Sequence, residues 1–169
     1  MFVNTMDMII KKADMAIRKA GSRDPEQIAK ALNLFILEKD LGHLKGFYTI
    51  IKRNRFVVLH ERLDPVMRKI VLLHEIGHDQ LHREIARSEK GIDLYEAATG
   101  HMENEANLFA AHISLPDEEI LELIRLGHTA DEIAAVMKSN VNLISFKAGY
   151  LVRQGYDLQI PEFNRRFLE

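Results

Sequence analysis

Between residues 6 and 20 the apolar positions Met8, Ile9, Ala13, Ala16, Ile17 and Ala20 recur at helical spacing, and Gly21 is placed to end that helix. Asp24-Pro25-Glu26-Gln27 is a helix start, with a capping carboxylate, a proline in the first turn and Gln27 three residues after the cap. That short helix covers Ile28, Ala31 and Leu32. Three apolar runs then read as strands: Leu34 to Leu37, Gly46 to Ile51, and Arg55 to Leu59. Lys52-Arg53-Asn54 between the last two suits a tight hairpin, with Asn54 as the residue tolerant of a left-handed turn. Asp64-Pro65 repeats the cap-plus-proline signal and predicts a largely buried helix to about Arg83, with Met67, Ile70, Val71, Leu73, Ile76 and Leu81 as its apolar positions. Residues 84–100, punctuated by Gly91, Thr99 and Gly100, read as an irregular loop with room for one helical turn. Met102 to Leu115 is helical again and Pro116 marks its end. Thr129-Ala130-Asp131-Glu132 is a capping box that opens a helix to about Met137. A break at Ser139-Asn140 precedes a last helix through Leu143 to Leu151.

The predicted class is α+β. A small antiparallel three-stranded sheet packs on the 65–83 helix and on the helix that follows, with a helical C-terminal appendage; the expected division is a core over 1–122 and an appendage over 123–169. At 169 residues with 47% hydrophobic and 28% charged side chains, the chain can bury a true core. Its 23 basic and 25 acidic groups leave a formal charge of −2, which excludes gross polybasic or polyacidic behaviour. Cysteine is absent, which excludes disulfides, thiolate metal sites and a cysteine nucleophile. Eight histidines remain, so a bound metal must be held by imidazole and carboxylate. Asp7, Lys11, Lys12 and Asp14 interrupt the apolar N-terminal stretch, which does not read as a secretory signal, and no stretch has the apolar length of a membrane span. A cytoplasmic location is the expectation.

His74-Glu75-Ile76-Gly77-His78 is an HExxH motif on the predicted 65–83 helix. Histidines four apart lie on one face, a turn apart, where both imidazoles reach one ion. Glu75 can then approach a metal-bound water as general base without being a ligand. Chance would supply roughly 0.03 such matches in a chain of this composition, and the capped apolar helix around the motif lowers that further. A catalytic zinc site commonly needs a third protein ligand. Glu105, 27 residues after His78 on the next helix, is the best candidate; Glu103, two positions away, points elsewhere on a regular helix, so only one of the two can easily be used, and spacing alone prefers neither. His101 and His112 share the face of Glu105 and are candidates for a ligand or for a donor to a developing oxyanion; Tyr95 is another candidate donor. His82 continues the stripe of the motif histidines and reads as a non-ligand that lines the cleft or bonds a second carboxylate. His43, His60 and His128 have no metal-like spacing.

His74-Glu75-Ile76-Gly77-His78 with Leu81-His82, then Glu103-Asn104-Glu105-Ala106-Asn107-Leu108-Phe109-Ala110-Ala111 and Leu115-Pro116, resembles the ImmA/IrrE family of metallopeptidases. Two separate motifs in order make the resemblance specific; with the upstream helix and hairpin it covers roughly residues 20–120. The resemblance implies Zn2+ as cofactor, His74 and His78 as ligands, Glu75 as the catalytic glutamate, and Glu105, the glutamate directly before Ala-Asn, as third ligand. It further implies a cytoplasmic endopeptidase of bacteria or their mobile elements that cleaves helix-turn-helix transcriptional repressors. His112 stands where other members often carry an acidic or neutral residue.

The pair of helices over 129–151 has the length of a helix-turn-helix. Asn142, Ser145 and Lys147 are weak candidates for base readers, so nucleic-acid contact through 129–151 is the lesser expectation and packing on the core or recognition of a protein substrate the greater. The alternative to a peptidase is a regulatory protein that binds zinc and contacts DNA or a partner without proteolysis.

Overall fold

The computed structural model describes residues 5–88 and 100–159. Helix α1 spans Thr5–Ala20 and α2 Pro25–Ala31. Asp24 caps α2 by accepting from the Gln27 amide at 3.1 Å. Strands β1 (Phe35–Lys39), β2 (Gly46–Ile51) and β3 (Asn54–His60) follow, then α3 (Pro65–Leu81), α4 (Arg83–Ser88), α5 (Gly100–Ser114), α6 (Asp117–Arg125), α7 (Ala130–Val136) and α8 (Val141–Arg153). The Asp64 carboxylate accepts from the Val66 and Met67 amides at 3.0 Å, so α3 starts at the predicted proline.

The sheet is mixed rather than wholly antiparallel. Its order is β1-β3-β2, with β2 antiparallel to β3 and β1 parallel to it. Only the hairpin fixes an antiparallel pair; β1 reaches β3 across the sheet, and that direction is set by packing rather than by a turn. The hairpin loop has two residues, not three. Ile51 pairs with Asn54, and Lys52 and Arg53 take positive φ of 49° and 70°, the geometry of a type I′ turn.

Helix α6 has no counterpart among the predicted elements, although Asp117, Glu118 and Glu119 load its first turn with the charge a helix N-terminus favours. It buries Ile120, Leu121 and Ile124. One hydrophobic cluster runs from Ile9 and Ile28 through Leu73 and Phe109 to Ile133, Ile144 and Leu151, so the C-terminal helices share the core of the rest.

Two buried ionic groups bind elements together. Asp79 on α3 is fully buried and accepts from Arg55 Nη1 at 2.8 and 2.9 Å and from Arg83 Nη2 at 2.9 Å. This joins β3 to the end of the motif helix. Lys147 on α8 is also fully buried; it donates to His112 Nδ1 at 3.1 Å and to Asp117. His112 Nε2 in turn lies 2.9 Å from Asp14 Oδ1, so α1, α5, α6 and α8 meet at one polar knot. A fully buried Lys147 does not reach a nucleic acid, which removes it from the candidate base readers. Among the described residues no helix is long and apolar enough to cross a membrane.

Candidate metal centre

Helix α3 lies along α5, and Gly77 is a point of close approach between them. A Cβ built there would stand 3.1 Å from Ala106 Cα, 3.2 Å from Ala106 O and 3.3 Å from the Phe109 ring. The small pair Gly77 and Ala106 thus brings the two backbones together at the level of the motif.

At that level His74, His78 and Glu103 converge, with one ligand atom of each within 4.8 Å of the others. The two Nε2 atoms are 3.1 Å apart, Glu103 Oε2 is 3.2 Å from His74 Nε2, and Glu103 Oε1 is 3.1 Å from His78 Nε2. The structure therefore brings Glu103 to the histidine pair, and not Glu105. Positions two apart on a helix point roughly 200° away from each other, so only one of the two glutamates can face α3. Glu103 shares its face with Asn107, whose Oδ1 is 2.9 Å from His74 Nδ1.

Glu105 is occupied elsewhere. Its Oε2 is 2.8 Å from His82 Nε2 and its Oε1 is 3.0 Å from His101 Nε2. His82 is buried, and its Nδ1 lies 3.0 Å from His78 Nδ1. A chain Glu105–His82–His78 results.

Proton counting along these bonds tests whether the site suits a metal. An amide oxygen only accepts, so His74 Nδ1 carries the proton and its Nε2 presents a lone pair. A carboxylate only accepts, so His82 Nε2 carries its proton and its Nδ1 accepts from His78 Nδ1–H. His78 Nε2 is then also a lone pair. Both motif imidazoles are held in the tautomer that ligates through Nε2, each anchored by its other nitrogen as metal-bound histidines are. Two imidazoles and a carboxylate form a donor set characteristic of catalytic zinc.

The charges agree. Before a metal binds, a proton on either Nε2 can be donated to Glu103, and this contact with His74 and His78 holds the Glu103 carboxyl far below the usual range. Burial opposes protonation of His74, but the hydrogen bond it donates to Glu103 when protonated and the charges of Glu75 and Glu103 outweigh it and raise its pKa. His78 is lowered, chiefly by burial, against the pull of Glu103. Glu75 is buried beside the triad, and burial pushes its carboxyl up to about 7, with the charge of Glu103 adding to the rise and His74 and the Tyr48 backbone amide opposing it.

The triad faces a cleft of about 360 Å³ lined by His43, Lys45 and Gly46 on one wall, Ile70 and Val71 on α3, and Asn107 and Asn140. Glu75 also borders it. Of the other candidates, His101 is exposed on Glu105, away from the cleft lining. His112 belongs to the Asp14–Lys147 knot, where burial and the Lys147 charge lower its pKa against Asp14. Tyr95 lies outside the described residues. His43, with no metal-like spacing, nevertheless lines the cleft, and neither Lys45 nor Asn140 carried a sequence signal for it. Glu103 and Asn107 did share one: a carboxylate and an amide four apart, on one helical face.

Edge strand β2 forms one rim. The Lys45 carbonyl accepts from the His60 amide at 2.8 Å, so by antiparallel alternation Lys45, Phe47 and Thr49 face β3 while Gly46, Tyr48 and Ile50 turn their main-chain groups outward. The Tyr48 amide is taken by Glu75.

The family model described as the IrrE N-terminal-like domain matches residues 29–148 of the chain, beyond the roughly 20–120 that the motifs span. An uncharacterized immunity region protein 2 of Bacillus phage phi105 is similar, with 32% identity over 127 residues, 71% of this chain and 76% of the phage protein.

Proposed function

The chain belongs to the IrrE N-terminal-like domain family, and on that footing we propose that it is a zinc-dependent endopeptidase whose substrate is a helix-turn-helix repressor of a mobile element or stress regulon. The observation that carries the reading is the meeting of His74, His78 and Glu103 in the Nε2-ligating tautomers, with Glu75 buried beside them and open to the cleft. Zinc held there would supply a water of lowered pKa and polarise the scissile carbonyl.

Glu75 takes the proton of the attacking water at its carboxylate and returns it to the departing amine. The Tyr48 amide holds that carboxylate toward the cleft from the β2 side. Glu103, kept ionised by both histidines, completes the ligand set without competing for the proton. The outward main-chain groups of Gly46 and Ile50 suit an extended substrate that adds to the edge of β2. The similarity to an immunity-region protein of a phage supports a repressor as substrate.

The test is purified zinc-loaded protein mixed with a helix-turn-helix repressor encoded beside it. Wild type cuts the repressor; Glu75→Gln binds zinc equally and does not. Cleavage by Glu75→Gln overturns the mechanism. No cleavage by wild type, with both forms binding operator DNA equally, overturns the peptidase reading in favour of a zinc-binding regulator.

A further inference from the structure

We infer that Asn140 is a substrate-binding residue of the cleft, donating its side-chain amide to a main-chain carbonyl of the bound peptide; this rests on the peptidase reading above. Asn140 comes from the turn between α7 and α8, yet it lines the same cleft as His74, Glu75 and Glu103. Its Oδ1 accepts from the Leu143 amide at 2.9 Å as the N-cap of α8. Its carbonyl accepts from the Ile144 amide at 3.2 Å. The residue is therefore fixed at both main chain and side chain, and the cap uses only the amide oxygen. Among the described residues both hydrogens of the Nδ2 group are left over.

The other polar groups of the cleft are committed or unanchored. His74, His78 and Glu103 face one another, and Glu75 accepts from the Tyr48 amide; Asn107 spends its oxygen on His74 beside the metal ligands, and its NH2 group is, among the described residues, the one other side-chain amide donor lining the cleft. His43 and Lys45 stand exposed on the rim. An extended peptide offers its carbonyls alternately to its two sides. One side can meet the edge of β2; the other needs a donor from outside the sheet, and an amide fixed by its own helix cap is preorganised to be that donor.

Capping and donation separate cleanly by substitution. Aspartate and serine cap helices as well as asparagine does, but neither has an amide NH2. The probe is a quenched peptide spanning the bond that wild type cuts in its repressor. Asn140→Ser is expected to lower kcat/KM roughly 3–10-fold, mainly through KM, and Asn140→Asp more, because its carboxylate meets the carbonyl. Zinc affinity and thermal midpoint stay at wild-type values in both. In 15N-labelled Glu75→Gln protein, the Asn140 side-chain amide resonance shifts when the peptide is added. Wild-type cleavage with unchanged kcat/KM in both Asn140 variants, or an unmoved amide resonance, overturns the inference and leaves the peptidase reading intact. A wild type that cuts nothing overturns both.

Discussion

Glu105 Oε2 lies 2.8 Å from His82 Nε2, and through His82 it fixes which nitrogen of His78 carries a proton. Glu103 meets His78 directly at 3.1 Å. The two glutamates thus act on the same histidine from opposite ring nitrogens. Glu103→Gln is expected to weaken zinc binding more than Glu105→Gln, whose loss should fall in the roughly 10–100-fold range of an outer orienting group. Competition with a chromophoric chelator measures both. The reverse order would make Glu105 the ligand.

His82→Phe removes the acceptor of His78 Nδ1–H while keeping an aromatic ring of similar bulk in the buried site. Zinc affinity should fall by a similar roughly 10–100-fold. His101→Ala, at a residue with an exposed side chain, should change it little. Equal losses in the two variants would refute the chain as drawn.

Gly77→Ala sets a gain against a loss. Alanine is favoured over glycine in a helix interior by about 1 kcal/mol, but its Cβ would press on Ala106 backbone at 3.1 Å, and overpacking costs about 1–3 kcal/mol. Net destabilisation, with weaker zinc binding as Glu103 is pushed from α3, is the expected result of urea unfolding and metal titration. A variant more stable than wild type with unaltered affinity would show that the helices can part freely.

Asp79→Ala leaves Arg55 and Arg83, whose side chains keep 19% and 32% exposure, without their buried carboxylate. Breaking a fully buried pair costs about 3–5 kcal/mol; with both arginines only partly buried, about 1–3 kcal/mol is expected, read as a lowered urea midpoint. A loss below about 1 kcal/mol would mean that solvent reaches the arginines once the carboxylate is gone.

His112 gives the pH dependence a sign. It is buried among Asp14 of α1, Asp117 of α6 and Lys147 of α8, with Arg23 on its carbonyl; burial and Lys147 lower its pKa. The unfolded chain then binds a proton near pH 6.5 that the folded one refuses, so stability contributed at pH 8 is lost as pH falls below about 6.5. Metal-free His112→Gln should lose less stability than wild type between pH 8 and pH 5 in urea unfolding. Identical pH profiles would remove His112 from the account.

Much of this was legible in the chain. The Asp64 cap and the spacing of His74, Glu75 and His78 are local features, and a helix carries them intact into the fold. The identity of the carboxylate facing them is not local. It depends on the rotation of α5 about its axis against α3, which is set by where Gly77 and Ala106 touch. The direction of β1 was hidden for a similar reason, since no short turn ties it to β3. Asn140 looked like punctuation between two helices, because a cap is visible in sequence and the cleft beside it is not.

The knot at Lys147 bears on modularity. Helix α5 presents Glu103 to α3 from one side and His112 to the C-terminal helices from another, with Phe109 and Ile113 fully buried between. A chain cut at residue 122 would uncover the back of the very helix that brings Glu103 to His74 and His78. Residues 123–159 are then scaffold for the helix that carries Glu103, and swapping them between relatives would alter the geometry of the candidate metal centre along with whatever those helices recognise.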